Sequence, residues 1–240
     1  MVDSKGVVKL PKVLVFTVTY KGKDYVWDRF QALTKKMTYP NYEHIIIDNT
    51  ADEGQYASHL RSYGFKVFHI ERGNNTREAI ARSQEFARRY ALKNGFDYML
   101  SLESDILVID KVIEWLLSDG KDYVGALYHI GNDQFQRIPC ITIPYEHEHY
   151  GLKGNRLLKP EEYDTYYRNG LMTVNNCGLG CTLIKKSVFE KVSFKYLPML
   201  KTHSDSYYAN DVWNAGFRIY VDTDLVLEHV NNDWSKVSDR

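Results

Sequence analysis

The sequence predicts an α/β fold, a mostly parallel sheet flanked by helices with a small antiparallel part. Three observations predict it. Between residues 12 and 110, short β-branched runs alternate with stretches of helical period, and parallel pairing needs such crossovers. From residue 137 the helical period gives way to turn formers and aromatics, the pattern of short antiparallel strands. Polar residues cluster where the early apolar runs end, and sheets of this kind bind ligands at the carboxyl ends of their strands.

KVLVFTVTY (12–20) is the first strand, and YVWDRFQALTKKM (25–37) follows as a helix with Val26, Phe30, Leu33 and Met37 at helical spacing. Pro40 and Asn41 break the chain before YEHIIIDNT (42–50), the second strand, and FKVFHI (65–70) is a short third. TREAIARSQEFARRYALKNG (76–95) is a long helix carrying Ile80, Phe86 and Leu92, with Asn94 and Gly95 as its stop. FDYMLSLESDILVID (96–110) reads as one buried strand. VNNCGLGCTLIKKSVFEKV (174–192) reads as a strand, then a helix begun near Lys186. HSDSYYANDVWNAGFRIYVDTDLVLEHV (203–230) reads as a helix stopped at Gly216, a strand, and a last strand ending in His229. No repeat, low-complexity tract or linker interrupts the chain, which favours one continuous domain.

Composition sets the outer limits. With 240 residues, 44% hydrophobic and 14% aromatic, the chain can bury roughly 70–75% of its unfolded surface. Lys plus Arg equals Asp plus Glu at 31 each, so no whole-molecule field favours nucleic acid. The opening MVDSKGVVKLPK has no signal-peptide core, and no apolar run reaches the roughly 18 residues of a membrane span. The chain reads as cytoplasmic. Three cysteines, Cys140, Cys177 and Cys181, are too few for a disulfide framework and agree with a reducing compartment. CGLGC reads as buried cysteines rather than a metal motif.

Glu103, Ser104 and Asp105 interrupt the run 96–110. Burying one unpaired carboxylate costs several kcal/mol or more, so two need a reason. On a strand, positions 103 and 105 share a face while Ser104 points away. Such a pair suits Mg²⁺ or Mn²⁺ held together with ligand phosphates. Strand-end acids also cap helices or pair with Lys or Arg, and the residues alone leave both readings open.

In order along nearly the whole chain, five segments carry a family resemblance. VLVFTVTY, HIIIDNT, NGFDYMLSLESDI, GLGCTLIKKSVFEKV and SDSYYANDVWNAGFRIYVDTDLVLEH resemble the landmarks of the GT-A fold glycosyltransferases, the family 2-like group. These are the first strand, the strand whose Asp touches the nucleotide, and the strand with the metal-binding DxD. Then come the segment beside the acceptor site and the acid-bearing helix with its Gly turn, strand and terminal His. The resemblance implies a GT-A (Rossmann-like) domain over 1–240, with a nucleotide-binding half at about 12–130 and an acceptor-side half at about 131–240. It implies a sugar moved, with inversion, from a UDP or GDP sugar to a hydroxyl on a glycan, lipid-linked or protein acceptor, with Mn²⁺ or Mg²⁺ as cofactor. The DxD is ExD here, and the Glu-Asp before the last helix reads Ser204-Asp205.

By the same resemblance, Glu103, Asp105 and His229 hold the metal, and Asp205 is the general base, although a carboxylate there is also a good helix N-cap. Asp48 is expected to meet ribose or base, as acids do in nucleotide-binding sheets, or else to form an Asx turn before Asn49. Thr17, Thr19, Tyr20 and Ser104 line the donor pocket. Arg77 and Arg82 stand roughly 140° apart on their helix, and Arg82 is the one expected at the diphosphate. EHEH (146–149), with His147 and His149 on one face, reads as an exposed edge strand or an acceptor-facing loop. Two alternatives stand beside the transferase. A sugar nucleotidyltransferase resembles a Gly-rich loop after the first strand, where TYKGKDY has one glycine. A silent nucleotide- or carbohydrate-binding module would keep the fold, with Glu103 marking decay.

Overall fold

The computed structural model describes residues 10–131, 137–146 and 153–230. Strand β1 (Val13–Thr19) passes through a 3-10 turn (Lys21–Lys23) into α1 (Asp24–Thr34). Next come β2 (Tyr42–Asp48), α2 (Gln55–Ser62), β3 (Lys66–His69), α3 (Thr76–Lys93), β4 (Tyr98–Leu102), β5 (Ile106–Leu107), α4 (Val112–Ser118) and β6 (Tyr123–Leu127). The second half runs β7 (His129–Gly131), β8 (Arg137–Pro139), β9 (Thr142–Glu146), β10 (Lys153–Leu157), α5 (Tyr163–Tyr166) and β11 (Leu171–Val174). It ends with β12 (Cys181–Lys185), α6 (Lys186–Phe189), α7 (Ser204–Asn214), β13 (Ile219–Val226) and β14 (Glu228–His229). His147 and His149 lie outside the described residues.

Eight strands form the central sheet in the order β11-β13-β6-β12-β4-β1-β2-β3. β4, β1, β2 and β3 are mutually parallel, as is the β6–β13 pair. β12 enters antiparallel between β6 and β4 and joins the two blocks. Small antiparallel pairs, β7–β8 and β9–β10, lie outside this sheet. The fold class is the expected one, and the antiparallel part falls in the second half.

Alternation along the strands sorts the core into two layers. Val13 and Val15 join Trp27, Phe30, Leu60 and Leu116 on the face covered by α1, α2 and α4. Leu14 and Phe16 join Ala87, Phe189 and Val212 on the face covered by α3, α6 and α7. Helix α3 starts where Asn75 caps it, its side chain accepting the Glu78 N–H at 3.0 Å. It stops before Gly95, whose φ of +68° no β-branched residue would tolerate. Gly216 ends α7 in the same way. No helix among the described residues is long and apolar enough to cross a membrane.

Candidate active site

The register of the parallel block sets a row of polar side chains along one sheet edge. Thr19 pairs with Asp48, and Asp48 with His69, across β1, β2 and β3. On the other side of β1, Phe16 pairs with Ser101. The residues just past β4, Glu103 to Asp105, therefore come level with Thr19.

The continuous strand expected over 96–110 is broken there. β4 ends at Leu102, and residues 103–105 form a turn. The Glu103 N–H donates to the Gly180 carbonyl at 2.8 Å, and the Ile106 N–H to the Glu103 carbonyl at 3.1 Å. This turn, and not strand alternation, brings the two carboxylates together. Nor does Ser104 point away. It is buried, and its oxygen accepts the Thr19 hydroxyl at 3.1 Å, joining the ends of β1 and β4.

Glu103, Asp105 and His229 offer ligand atoms that lie within 4.8 Å of one another. His229 arrives through β14, which pairs antiparallel with β5 and sets His229 opposite Ile106. Its Nδ1–H donates to the His129 carbonyl at 2.7 Å, which leaves Nε2 3.2 Å from Asp105 Oδ2. A backbone acceptor on one ring nitrogen is how histidine ligands are usually aimed. The Tyr128 ring stands edge-on to His229, with centroids 5.7 Å apart. Room for that ring comes from CGLGC, because a Cβ at Gly180 would meet Tyr128 at 2.6 Å. The motif is thus a seat for an aromatic ring. Burial pushes the Cys177 thiol beside it up to about 12.

A fourth residue enters from the 3-10 turn. The Lys23 ammonium bonds Asp105 through Oδ2, the oxygen that also faces His229. Burial works against an ionised Asp105, but the His229 hydrogen bond and the Lys23 charge outweigh it and hold the carboxyl below its usual range. Burial likewise disfavours a charged His229, and Asp105 raises it nonetheless. Glu103 goes the other way: burial, then the neighbouring Asp105 charge, raise it to about 7. Two carboxylates and an imidazole, with a cation already drawn to Asp105, are a donor set that fits Mn²⁺ or Mg²⁺.

At the nucleotide end, Asp48 is buried and both its oxygens are engaged. Oδ1 accepts the Thr50 N–H at 3.0 Å and the Thr50 hydroxyl at 2.6 Å, while Oδ2 lies 2.8 Å from His69 Nδ1. Asp48 thus forms the Asx turn and still stands on the ligand edge. Asp52 lies within reach of this pair, but it opens α2 by accepting the Gly54 and Tyr56 N–H groups. Arg72 holds its guanidinium over the Tyr20 ring at 5.0 Å and donates to Thr76 at 2.6 Å and to Asn49 at 3.4 Å. Arg82 lines a cleft of about 450 Å³ with His69, Glu85, Arg89, Phe194 and Tyr196. Arg77 turns away to the Leu200 carbonyl.

Thr17 is not brought to the site. It is fully buried on the α1 side, its hydroxyl 3.0 Å from His44 Nε2. Asp205 is not the cap of α7 that its position suggests. His203 is the N-cap, without a side-chain bond, and Asp205 lies inside the first turn with Oδ1 accepting the Ser206 N–H at 2.8 Å. Its charge helps raise Glu103 and Cys140, so it stands within electrostatic reach of the cluster. Ser204 ties this helix start to α3 by donating to Gln84 at 2.6 Å.

Lys23, His69, Arg72 and His129 are absent from the sequence-based set. Lys23, His69 and Arg72 stand at or just beyond the carboxyl ends of strands, a placement that could have nominated them. His129 acts through its backbone carbonyl, which no residue type announces.

Glycosyl transferase family 2 matches residues 14–193. No curated protein matches the sequence. Among solved structures, the crystal structure of GalNAc-T7 with UDP, GalNAc and Mn²⁺ superposes with a TM-score of 0.62 at 14% identity, over 93% of this chain and 44% of that one. The mannosyltransferase PcManGT from Pyrobaculum calidifontis, in complex with GDP-Man and Mn²⁺, gives 0.58 at 14%, over 93% and 58%. S. aureus TarS gives 0.57 at 13%, over 92% and 37%. The chain therefore spans less than two thirds of the length of each of these proteins, and at such identities the likeness is one of fold, the GT-A arrangement. With the family match covering most of the chain, the conclusion is direct: the chain belongs to glycosyl transferase family 2.

Proposed function

We propose that the protein transfers a sugar from a nucleotide-diphosphate sugar, UDP- or GDP-linked, to an acceptor hydroxyl, with inversion. The observation that carries this reading is the cluster of Glu103, Asp105 and His229 at the carboxyl edge of the sheet. Mn²⁺ or Mg²⁺ held there would neutralise charge that develops on the departing diphosphate. Asp105, held against the cost of burial below the usual carboxylate range by the His229 hydrogen bond and the Lys23 charge, is the anchoring ligand. Asp48 orients the nucleoside, with His69 and Thr50 fixing its carboxylate. Arg72 and Tyr20 flank the same end, and Arg82 approaches from α3. Asp205, on the first turn of α7, takes the proton from the acceptor hydroxyl. The acceptor is a glycan, a lipid-linked sugar or a protein.

Incubation with UDP- and GDP-sugars, with and without Mn²⁺ or Mg²⁺, tests the proposal by the release of nucleoside diphosphate. Release that requires a divalent ion and disappears in Asp105→Ala supports it. Metal-dependent nucleotide binding with no release from any donor would instead make the protein a silent binding module.

A further inference from the structure

The turn that joins β1 to α1 carries a lysine into the cluster. Gly22 allows this approach, since a Cβ at that position would lie 2.3 Å from the Tyr20 ring. The 3-10 turn therefore lies against Tyr20, and Lys23, at its end, reaches Asp105. The Lys23 side chain is 20% exposed and the Asp105 side chain 3%. The contact is an enclosed ion pair rather than a surface one.

One atom decides the consequence. Asp105 Oδ2 is bonded by the Lys23 ammonium and also faces His229 Nε2. A divalent ion that takes Asp105 Oδ2 and His229 Nε2 as ligands comes to the oxygen that the ammonium already holds. Two cations on one carboxylate oxygen repel each other strongly in a poorly hydrated site, so an ammonium on Oδ2 weakens the hold of a divalent ion there. Lysine suits such a role, being a compact charge on a flexible four-carbon stem. Once displaced it remains tethered beside the site, and the diphosphate of the donor brings a strong anion within reach of its charge.

We propose that Lys23 is a built-in competitor of the divalent ion: it occupies the cation position on Asp105 when the site is empty and moves onto the diphosphate when metal and nucleotide bind together. This rests on the reading of Glu103, Asp105 and His229 as the metal ligands. It makes metal binding weak without nucleotide and couples the two ligands, each tightening the other by the same factor.

Titration of Mn²⁺ into the protein, with free ion followed by its electron paramagnetic resonance signal, tests this without any turnover. Wild type, Lys23→Met and Asp105→Asn are compared, each with and without UDP or GDP, and melting temperatures check that the variants fold. Lys23→Met is expected to bind Mn²⁺ alone at least tenfold more tightly than wild type. The gain in Mn²⁺ affinity brought by the nucleotide should shrink by a similar factor. A merely structural lysine gives no such gain, because loss of packing only weakens binding. Equal or weaker Mn²⁺ binding by Lys23→Met, with binding by wild type abolished in Asp105→Asn, overturns the role of Lys23 and leaves the metal site standing. Absence of Mn²⁺ binding from wild type and Lys23→Met alike, with nucleotide present, overturns the metal site and this proposal with it.

Discussion

His229 gives its Nδ1 proton to the carbonyl of His129 at 2.7 Å, and this bond decides which nitrogen of the ring faces Asp105. The residue that orients the candidate ligand is thus supplied by the short antiparallel strand after β6. The site is set by both halves of the chain.

Asp105→Ala should abolish transfer. The substitution removes the carboxylate against which both Lys23 and His229 are set. Loss of a leaving-group stabiliser is expected to cost on the order of 3 kcal/mol or more in the transition state, roughly 10² or more in rate. Glu103→Asp, which restores the family pattern, should keep activity. Turnover of Asp105→Ala within tenfold of wild type would remove Asp105 from the mechanism.

Asp48→Ala should raise the donor KM with less change in kcat. A ribose or base contact is made in ground and transition states alike, and uniform binding appears in KM. The Asx turn onto Thr50 is lost as well, so melting has to be compared at saturating donor. An unchanged KM would leave Asp48 with its turn alone.

Asp205→Asn should fold and bind donor normally while kcat falls by roughly 10² or more. Asparagine keeps an oxygen for the Ser206 N–H but cannot accept a proton at neutral pH. Because His203 and not Asp205 caps α7, little helix stability is at stake. Undiminished turnover would send the search for the base to Asp211, which is paired with Lys195 at 2.6 Å.

Gly180→Ala should destabilise the fold by about 1–3 kcal/mol, the usual cost of an overpacked core. The new methyl meets the Tyr128 ring, and the Gly180 carbonyl holds the Glu103 N–H. Urea unfolding and Mn²⁺ titration should both shift. Unfolding with an unaltered midpoint would mean that Tyr128 gives way freely.

The protein should lose stability in mild acid through His44. Burial lowers this imidazole from 6.5 to about 3. The folded value lies below the unfolded one, so as the pH drops through about 6.5 the unfolded chain takes the proton first. Stability then falls by up to about 1.4 kcal/mol per pH unit until the folded pKa is reached. Urea unfolding between pH 7 and 4.5 should show a flatter decline in His44→Gln than in wild type. Parallel curves would exclude His44 as a source of acid sensitivity.

What could be read from the sequence depended on length and period. β1, β2 and α3 stand out because each carries a long, unbroken pattern. α2, α4 and β6 did not, for physical reasons: α4 spans seven residues, too few to display two helical turns of pattern. β6 is YVGAL, buried on both faces, so it has no alternation to reveal it. In the site, Glu103 and Asp105 were legible as carboxylates in an apolar run, and His229 as the end of a strand. The turn that joins the two acids was not, because ESDI has no Gly or Pro and its Ser and Asp, which do favour turns, sit inside an otherwise continuous apolar run. Thr17 stays off the ligand edge because it lies one pleat short of Thr19 on the same face of β1, where it is fully buried against His44.

Asp105 and His229 are separated by 124 positions, and this has a consequence for how the protein is made. A nascent chain emerging from the ribosome carries both acids long before it carries the imidazole. Until β14 can pair with β5, nothing fixes His229 against the two acids, so the first half can form its parallel strands before the cluster is complete. If the cluster holds the metal as proposed, ion binding during synthesis would report that the closing strand has docked, an event separate from the folding of the first parallel strands.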